Sequence, residues 1–344
     1  MSPILSLQRQ RGFNLIELMI ALVIGLIVVL GASSVFLSNK QSYRTNSAIG
    51  QIQENARIAF ELLTRDLRQA RLTGCGNQTT TANLLSNNTT LWYANFAGNG
   101  LIAYDGGTAD SNPALTTGTA SGNHRAGTDN LTLIGASDLA YSLATHDAAT
   151  SKITLNETNP ELSVGDLVVI CDTAQADIAQ ITSTTGGVYL ATGTGTPGNT
   201  AALSKTYLRN AQVSALKSVT WYIGCNPLTA LSCDPNRGGT SLYRMAAVGA
   251  AGPTVSLQAQ EMVRGVAAMD LTFLNTSATD YVDANAIAAA TWPLNTVSAV
   301  RVSLRLVAED RSSRDAMSSS DTLQANAMIF RDLNTVVALR NPPI

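Results

Sequence analysis

Few side chains in this 344-residue chain have the types and spacing that chemistry needs. There are two histidines, His124 and His146, too few for a His-based metal centre or a Ser-His-Asp arrangement of the usual kind. No nucleophile elbow, phosphate loop, HExxH or EF-hand spacing occurs. Asp105–Asn112 (DGGTADSN) offers oxygen ligands without the EF-hand spacing, so a polar turn outweighs a calcium loop there. Glu309, Asp310, Arg311 and Arg314 form a mixed-charge cluster, which reads as a solvated turn or a subunit contact. Both histidines sit in Gly/Thr/Ala-rich stretches and are expected at the surface. No catalytic residue, cofactor or metal site is therefore expected, and the chain is not expected to be an enzyme.

Two other groups of residues do have chemical meaning. The first is Glu17, a carboxylate at the edge of a long apolar run. The second is the four cysteines, Cys75, Cys171, Cys225 and Cys233. An even number outside the apolar run suggests two disulfides in an oxidising compartment, with three possible pairings. Cys225 and Cys233 are close in sequence and bracket Pro227, which favours a local loop and leaves Cys75 for Cys171. A zinc site is disfavoured because no CxxC pair exists.

Around Glu17 the sequence is unusual. No charged residue occurs from Leu18 to Asn39, and Leu18–Leu30 is almost wholly aliphatic. A helix from Phe13 to Leu37 would be about 37 Å long against a hydrocarbon core of ~30 Å. Arg9 and Arg11 precede the run and the next basic residue is Lys40, which places the N-terminus in the cytoplasm. A removable secretory signal is the competing reading. The run is long for one, and Gly31-Ala32-Ser33-Ser34 would be a late and poor cleavage site. A carboxylate deep in lipid costs on the order of 2–4 kcal/mol. In the first helical turn, however, it suits the positive end of the helix dipole.

Arg11-Gly12-Phe13-Asn14-Leu15-Ile16-Glu17-Leu18 resembles the leader junction of type IV pilins and type II secretion pseudopilins. The resemblance implies cleavage after Gly12 by a prepilin peptidase and methylation of the new N-terminal Phe13. It also implies retention of the apolar segment as membrane anchor and filament core. Glu17 would be the fifth residue of the processed chain and would pair with an α-ammonium, its own or a neighbour's. An unpaired charge in a packed helical core is penalised, so such pairing would enforce register.

Beyond the apolar run the pattern turns amphipathic. Ile49, Ile52, Ala56, Ala59, Phe60, Leu63, Leu67 and Ala70 recur at steps of three and four. Glu54, Arg57, Glu61, Arg65, Asp66, Arg68 and Arg71 fall on the opposite faces, read as solvated. Gly74 and Gly76 flank Cys75 and end the pattern. The expected organisation is a leader over 1–12, then a helix over 13–73, then an exported β-rich domain over 74–344. The helix divides into a membrane or filament-core part, 13–37, and an amphipathic stalk, 38–73.

The domain from Asn77 onward is rich in Asn, Thr, Gly, Ala and Ser. Aromatic islands stand at Trp92-Tyr93, Phe96 and Tyr104. Strand-like runs recur from Leu131 to Leu339. The clearest is Val297–Val307, where Val300, Val302, Leu304 and Leu306 alternate with Arg301, Ser303 and Arg305. The fold class expected is α+β and pilin-like, a long N-terminal helix packed on an antiparallel sheet.

Composition agrees. Lys+Arg total 22 and Asp+Glu 24, a net charge of −2, and charged residues are 13% of the chain. A nucleic-acid partner is not expected, since phosphate neutralisation needs clustered basic groups.

Three further stretches resemble the PilW group of minor pilins, with the J-type minor pseudopilins as near relatives. They are Arg65–Ala70 leading to Gly74-Cys75-Gly76, Val164–Asp172 with Ala176–Thr182, and Phe330–Asn341. The resemblance implies a minor pilin that initiates a type IV pilus from a tip complex and supports twitching motility and adhesion. Its partners would be other minor and major pilins, the prepilin peptidase, the inner-membrane assembly platform and a tip adhesin. It would cross the inner membrane once, with the C-terminal domain periplasmic before incorporation into the pilus. Two alternatives stand beside it, a type II secretion pseudopilin and an adhesive binding module presented by Asn77–Gly127. An exported enzyme is a distant fourth reading.

Overall fold

A computed structural model describes residues 15–76, 80–106, 112, 114–158, 160–227, 233–275, 279–287, 297–308 and 329–339. The chain divides into two units, Met1–Gly50 and Gln51–Ile344.

In the first unit the described residues are all helical and belong to α1, which runs Leu15–Gln69. The large apolar side chains from Leu15 to Leu37 are exposed throughout. This helix is long and apolar enough to cross a membrane.

In the second unit the expected periodicity appears as burial. Ile52, Ala56, Ala59, Leu63 and Leu67 form one buried stripe of α1. Asp66 is buried with them, against the reading of that residue as part of a solvated face. After Gln69 the chain turns through Arg71 in the left-handed region (φ 65°), then Gly74 (φ 90°) and Gly76 (φ 123°).

The strands that follow are β1 Thr80–Asn83, β2 Leu101–Tyr104, β3 Asn130–Asp147, β4 Lys152–Leu155, β5 Leu167–Cys171, β6 Gln175–Gln180 and β7 Val188–Tyr189. Then come β8 Gln212–Cys225, β9 Thr240–Gly249, β10 Val255–Arg264, β11 Val266–Asn275, β12 Tyr281–Asp283, β13 Val297–Val307 and β14 Phe330–Ala338. A short helix, α2 Phe96–Asn99, precedes β2.

Two sheets result. The larger has the order β1-β6-β5-β8-β3-β4-β7, with β2 on β3 and the β9–β10 hairpin on β8. It is antiparallel except that β1 runs parallel to β6. β8 is its spine. Residues Gln212–Ala215 pair with β5, residues Ser218–Cys225 pair with β9, and β3 lies along the other edge. The smaller sheet has the order β12-β11-β13-β14 and is antiparallel. Its β13 alternates as the sequence implies, with Val300, Val302, Leu304 and Leu306 buried and Arg301 and Arg305 exposed.

The larger sheet buries both faces along β5, where every residue from Leu167 to Cys171 is inaccessible. One of its faces is covered by the segment after β1. Leu85, Trp92, Tyr93 and Phe96 pack there with Ile134, Val169, Ile178 and Leu216. The aromatic islands at 92–93 and 96 are therefore core, and this overturns their reading as a display surface.

Candidate functional site

Glu17 lies in the first turn of α1 with its side chain exposed. Gly12 and Phe13 lie outside the described residues. Glu17 is followed by more than five turns without a charge, so an apolar surrounding would leave it one obvious electrostatic partner class, a cation near the helix start.

The second group of functional residues holds the last turns of α1 on the sheet. Asp66 Oδ2 accepts from Trp221 Nε1 (3.0 Å) and from Arg244 Nε (2.9 Å). Trp221 is in β8 and Arg244 in β9, at paired positions on one face. The carboxylate is buried at 6% side-chain exposure while Arg244 keeps 23%, so one end of the ion pair reaches solvent. The Arg244 guanidinium also lies 6.0 Å from the Trp221 ring centroid.

A backbone strap continues the attachment. Arg71 N–H donates to the Ile134 carbonyl (2.8 Å), and Ala136 N–H donates to the Leu72 carbonyl (2.6 Å). Gly135 makes this approach possible, because a Cβ there would lie 2.1 Å from the Gln69 carbonyl oxygen. Next in the strap, Cys75 is at bonding distance from Cys171 at the end of β5, with Cα atoms 5.9 Å apart. Cys225 and Cys233 form the second pair, Cα atoms 4.9 Å apart, in a loop leaving β8. Around the clamp, Glu61, Arg65 and Arg68 remain exposed, as a solvated face would be.

The remaining chemistry-bearing residues disperse. His124 was expected at the surface but is fully buried. Its Nε2 lies 3.2 Å from the Thr128 carbonyl and its ring edge faces Tyr222. The cause is local. Gly122 and Arg125 N–H donate to the Cys225 and Ile223 carbonyls of β8 and Cys225 N–H donates to the Asn123 carbonyl, which pins the stretch on the larger sheet, a pairing no periodicity announces. His146 is half-buried and its Nδ1 accepts from Tyr207 N–H (3.1 Å). Residues 107–111 of the Asp105–Asn112 stretch, and the cluster Glu309, Asp310, Arg311 and Arg314, lie outside the described residues. Among the described residues no three His, Cys, Asp or Glu side chains converge to hold a metal.

One carboxylate was not singled out by sequence. Asp129 accepts from Gly106 N–H (3.0 Å) and Leu271 N–H (2.7 Å), bridging the loop after β2 to β11. Burial pushes its pKa up to about 6, and Asp270 and Asp105 add repulsion that the two N–H bonds only partly offset.

Comparison with known proteins agrees with the N-terminal reading. Residues 7–33 match the prokaryotic N-terminal methylation motif, which spans Gly12, Phe13 and Glu17. Neither the comparison with curated proteins nor that with solved structures returns a match. The motif is that of a type IV pilin-like prepilin leader. Over this N-terminal stretch the chain is similar to type IV pilin-like and pseudopilin proteins, and the stretch leads into a helix long and apolar enough to cross a membrane, followed by β-rich structure. Proteins carrying this motif are structural rather than enzymatic.

Proposed function

We propose that the chain is a minor pilin that initiates assembly of a type IV pilus from a tip complex. Prepilin peptidase cuts after Gly12, and Phe13 becomes the methylated N-terminus. Glu17 pairs with the α-ammonium of Phe13 or of the next subunit, while Phe13–Leu37 packs among neighbouring helices. The chain waits in the inner membrane with its C-terminal domain in the periplasm, and the assembly platform draws it into the filament. The stretches that resemble the PilW group support the pilus machine over the secretion system, with the other pilins and a tip adhesin as the partners proposed.

The observation that carries this reading is the methylation motif over 7–33 fused to an apolar helix that runs on to Gln69. A removable signal would have no reason to continue into a stripe that docks on the exported domain. The second reading is a pseudopilin of a type II secretion system, favoured by the same motif.

A clean deletion strain separates the two, scored side by side for surface pili with twitching and for secreted exoenzymes. Loss of pili with normal secretion is the expected result. Loss of secretion with normal pili would move the protein to the secretion machine.

A further inference from the structure

β10 is an outer strand of the larger sheet, and among the described residues it pairs with β9 alone. Its first residues show which way its backbone groups point. Ala250 N–H donates to the Thr254 carbonyl, so Ser256, Gln258 and Gln260 bond toward β9. Leu257, Ala259 and Glu261 therefore direct their N–H and C=O groups away from the sheet. At the start of the strand, Val255 N–H is already taken by the Thr196 carbonyl (3.1 Å). Toward the other end the register shifts between Glu261 and Val263, and this bulge ends the straight pairing. The open edge is thus Leu257–Glu261, about 17 Å long. Leu257, Gln258, Ala259 and Gln260 are all exposed.

Exposed edges are normally blunted by shortness, charge or proline. β1, β2, β7 and β12 have four residues or fewer, and β14 carries Arg331 and Asp332. From Thr254 to Gln260 there is neither a charge nor a proline. Glu261 is neutralised by Arg264 (3.1 Å) and also accepts from Ser241 Oγ (2.8 Å).

We propose that a second copy of this chain adds its own β10 to this edge, joining the two larger sheets across a two-fold axis at Ala259. The edge is self-complementary in that register. Two antiparallel copies set Ala259 against the partner's Ala259, Leu257 against the partner's Glu261 and Gln258 against the partner's Gln260. The odd-numbered positions are the hydrogen-bonded ones, so about 6 backbone bonds close the pair. Alanine faces alanine at the axis, which leaves no bulky side chain to hold the strands apart. No like charges stand opposite each other, since each glutamate faces a leucine. The lengths also match. Each strand leaves the line at its bulge, just before it would meet the Thr196 carbonyl that closes the other copy's edge. Leu257 pairs with Ala247 and so shares the face on which Met245, Ala247 and Val255 pack against the aromatic core. Pairing extends that apolar face across the axis. The contact rests on the edge alone and requires neither leader cleavage nor a filament.

The test uses the full chain in detergent. Ala259→Cys brings two Cα atoms to about 5.5 Å, within the span of a disulfide. Mild oxidation is expected to give a covalent dimer at least ~10-fold faster than for Leu208→Cys, a cysteine at another exposed site. Equal rates, or no dimer from Ala259→Cys, would overturn the proposal. Sedimentation gives the second arm. Ala259→Pro removes an outward N–H and leaves the ladder to β9 intact, and Leu257→Lys puts a charge on the edge. The wild type is expected to sediment as a dimer and both variants as monomers. A monomeric wild type would overturn the proposal. So would a dimer that persists in Leu257→Lys, which would place the contact elsewhere, or cross-linking of Ala259→Cys in cells to a different exported subunit instead of its own copy. A chain found uncleaved and unexported in cells would sink the filament reading and leave the results in detergent unchanged.

Discussion

The carboxylate of Asp66 and the indole N–H of Trp221, 155 residues apart, meet at 3.0 Å where the last turns of α1 cross β8. Arg244 closes the other side of the same oxygen. A helix resting on an apolar stripe alone can rotate or slide at little cost. A buried carboxylate with two directional donors specifies one rotation and one register.

Replacing Asp66 by Ala leaves the Trp221 N–H and the Arg244 guanidinium without their shared acceptor. The expected loss is about 2–4 kcal/mol, less than for a wholly buried pair because Arg244 is partly solvated. Urea unfolding of the full chain in detergent reads it. A change under about 0.5 kcal/mol, the scale of an ordinary surface substitution, would contradict the clamp.

Asp129 makes a prediction in pH. Its folded pKa is raised from 3.8 to about 6, so the folded state holds the proton more tightly than the unfolded state. The stabilisation is fully present below 3.8 and is lost as pH rises through 6, up to ~3 kcal/mol in all. Asp138, Asp172 and Asp332 are shifted down and act in the opposite sense, so wild type must be compared with Asp129→Asn. Between pH 7.5 and 4.5 the wild type is expected to gain about 2 kcal/mol relative to the variant. Parallel stability curves would contradict this.

The Cys75–Cys171 bond spans a sequence separation of 96 residues that includes β1 to β4. Loop-closure entropy makes its removal by Cys75→Ser with Cys171→Ser cost up to ~4–5 kcal/mol. The Cys225–Cys233 bond spans 8 residues and is expected to cost less. Melting temperatures of the two double variants should fall in that order, and the reverse order would contradict the assignment of the larger constraint.

Glu17→Ala should leave leader cleavage intact and block incorporation into filaments. The two readouts are the mass of the membrane-bound subunit and its presence in sheared pili. Normal incorporation would sink the charge-pairing role.

Much of this architecture was legible in local patterns. The stripe from Ile52 to Leu67 and the alternation of β13 are single-element signals, and they appear as buried faces. What failed were residues whose fate depends on distant partners. Asp66 sits one step before Leu67 and looks solvated until Trp221 and Arg244 arrive from β8 and β9. Trp92 and Tyr93 stand in a polar stretch with no period, yet they cover the larger sheet. Removing 77–127 to test adhesion would therefore remove core rather than a display loop. β10 gives no clear strand signal, because Ser256–Glu261 mixes polar and apolar residues, as an edge strand exposed on both faces can. The division into two sheets left no mark in the sequence, since β10 and β11 are joined only by Gly265.

The central claim is tested most directly by the intact mass of the protein purified from cells that express a prepilin peptidase. The account predicts a chain lacking residues 1–12 and carrying one methyl group on Phe13, and an uncleaved precursor when Gly12 is replaced by a bulky residue. A chain that retains residues 1–12, or one cut after the apolar run near Ser33-Ser34, would contradict it.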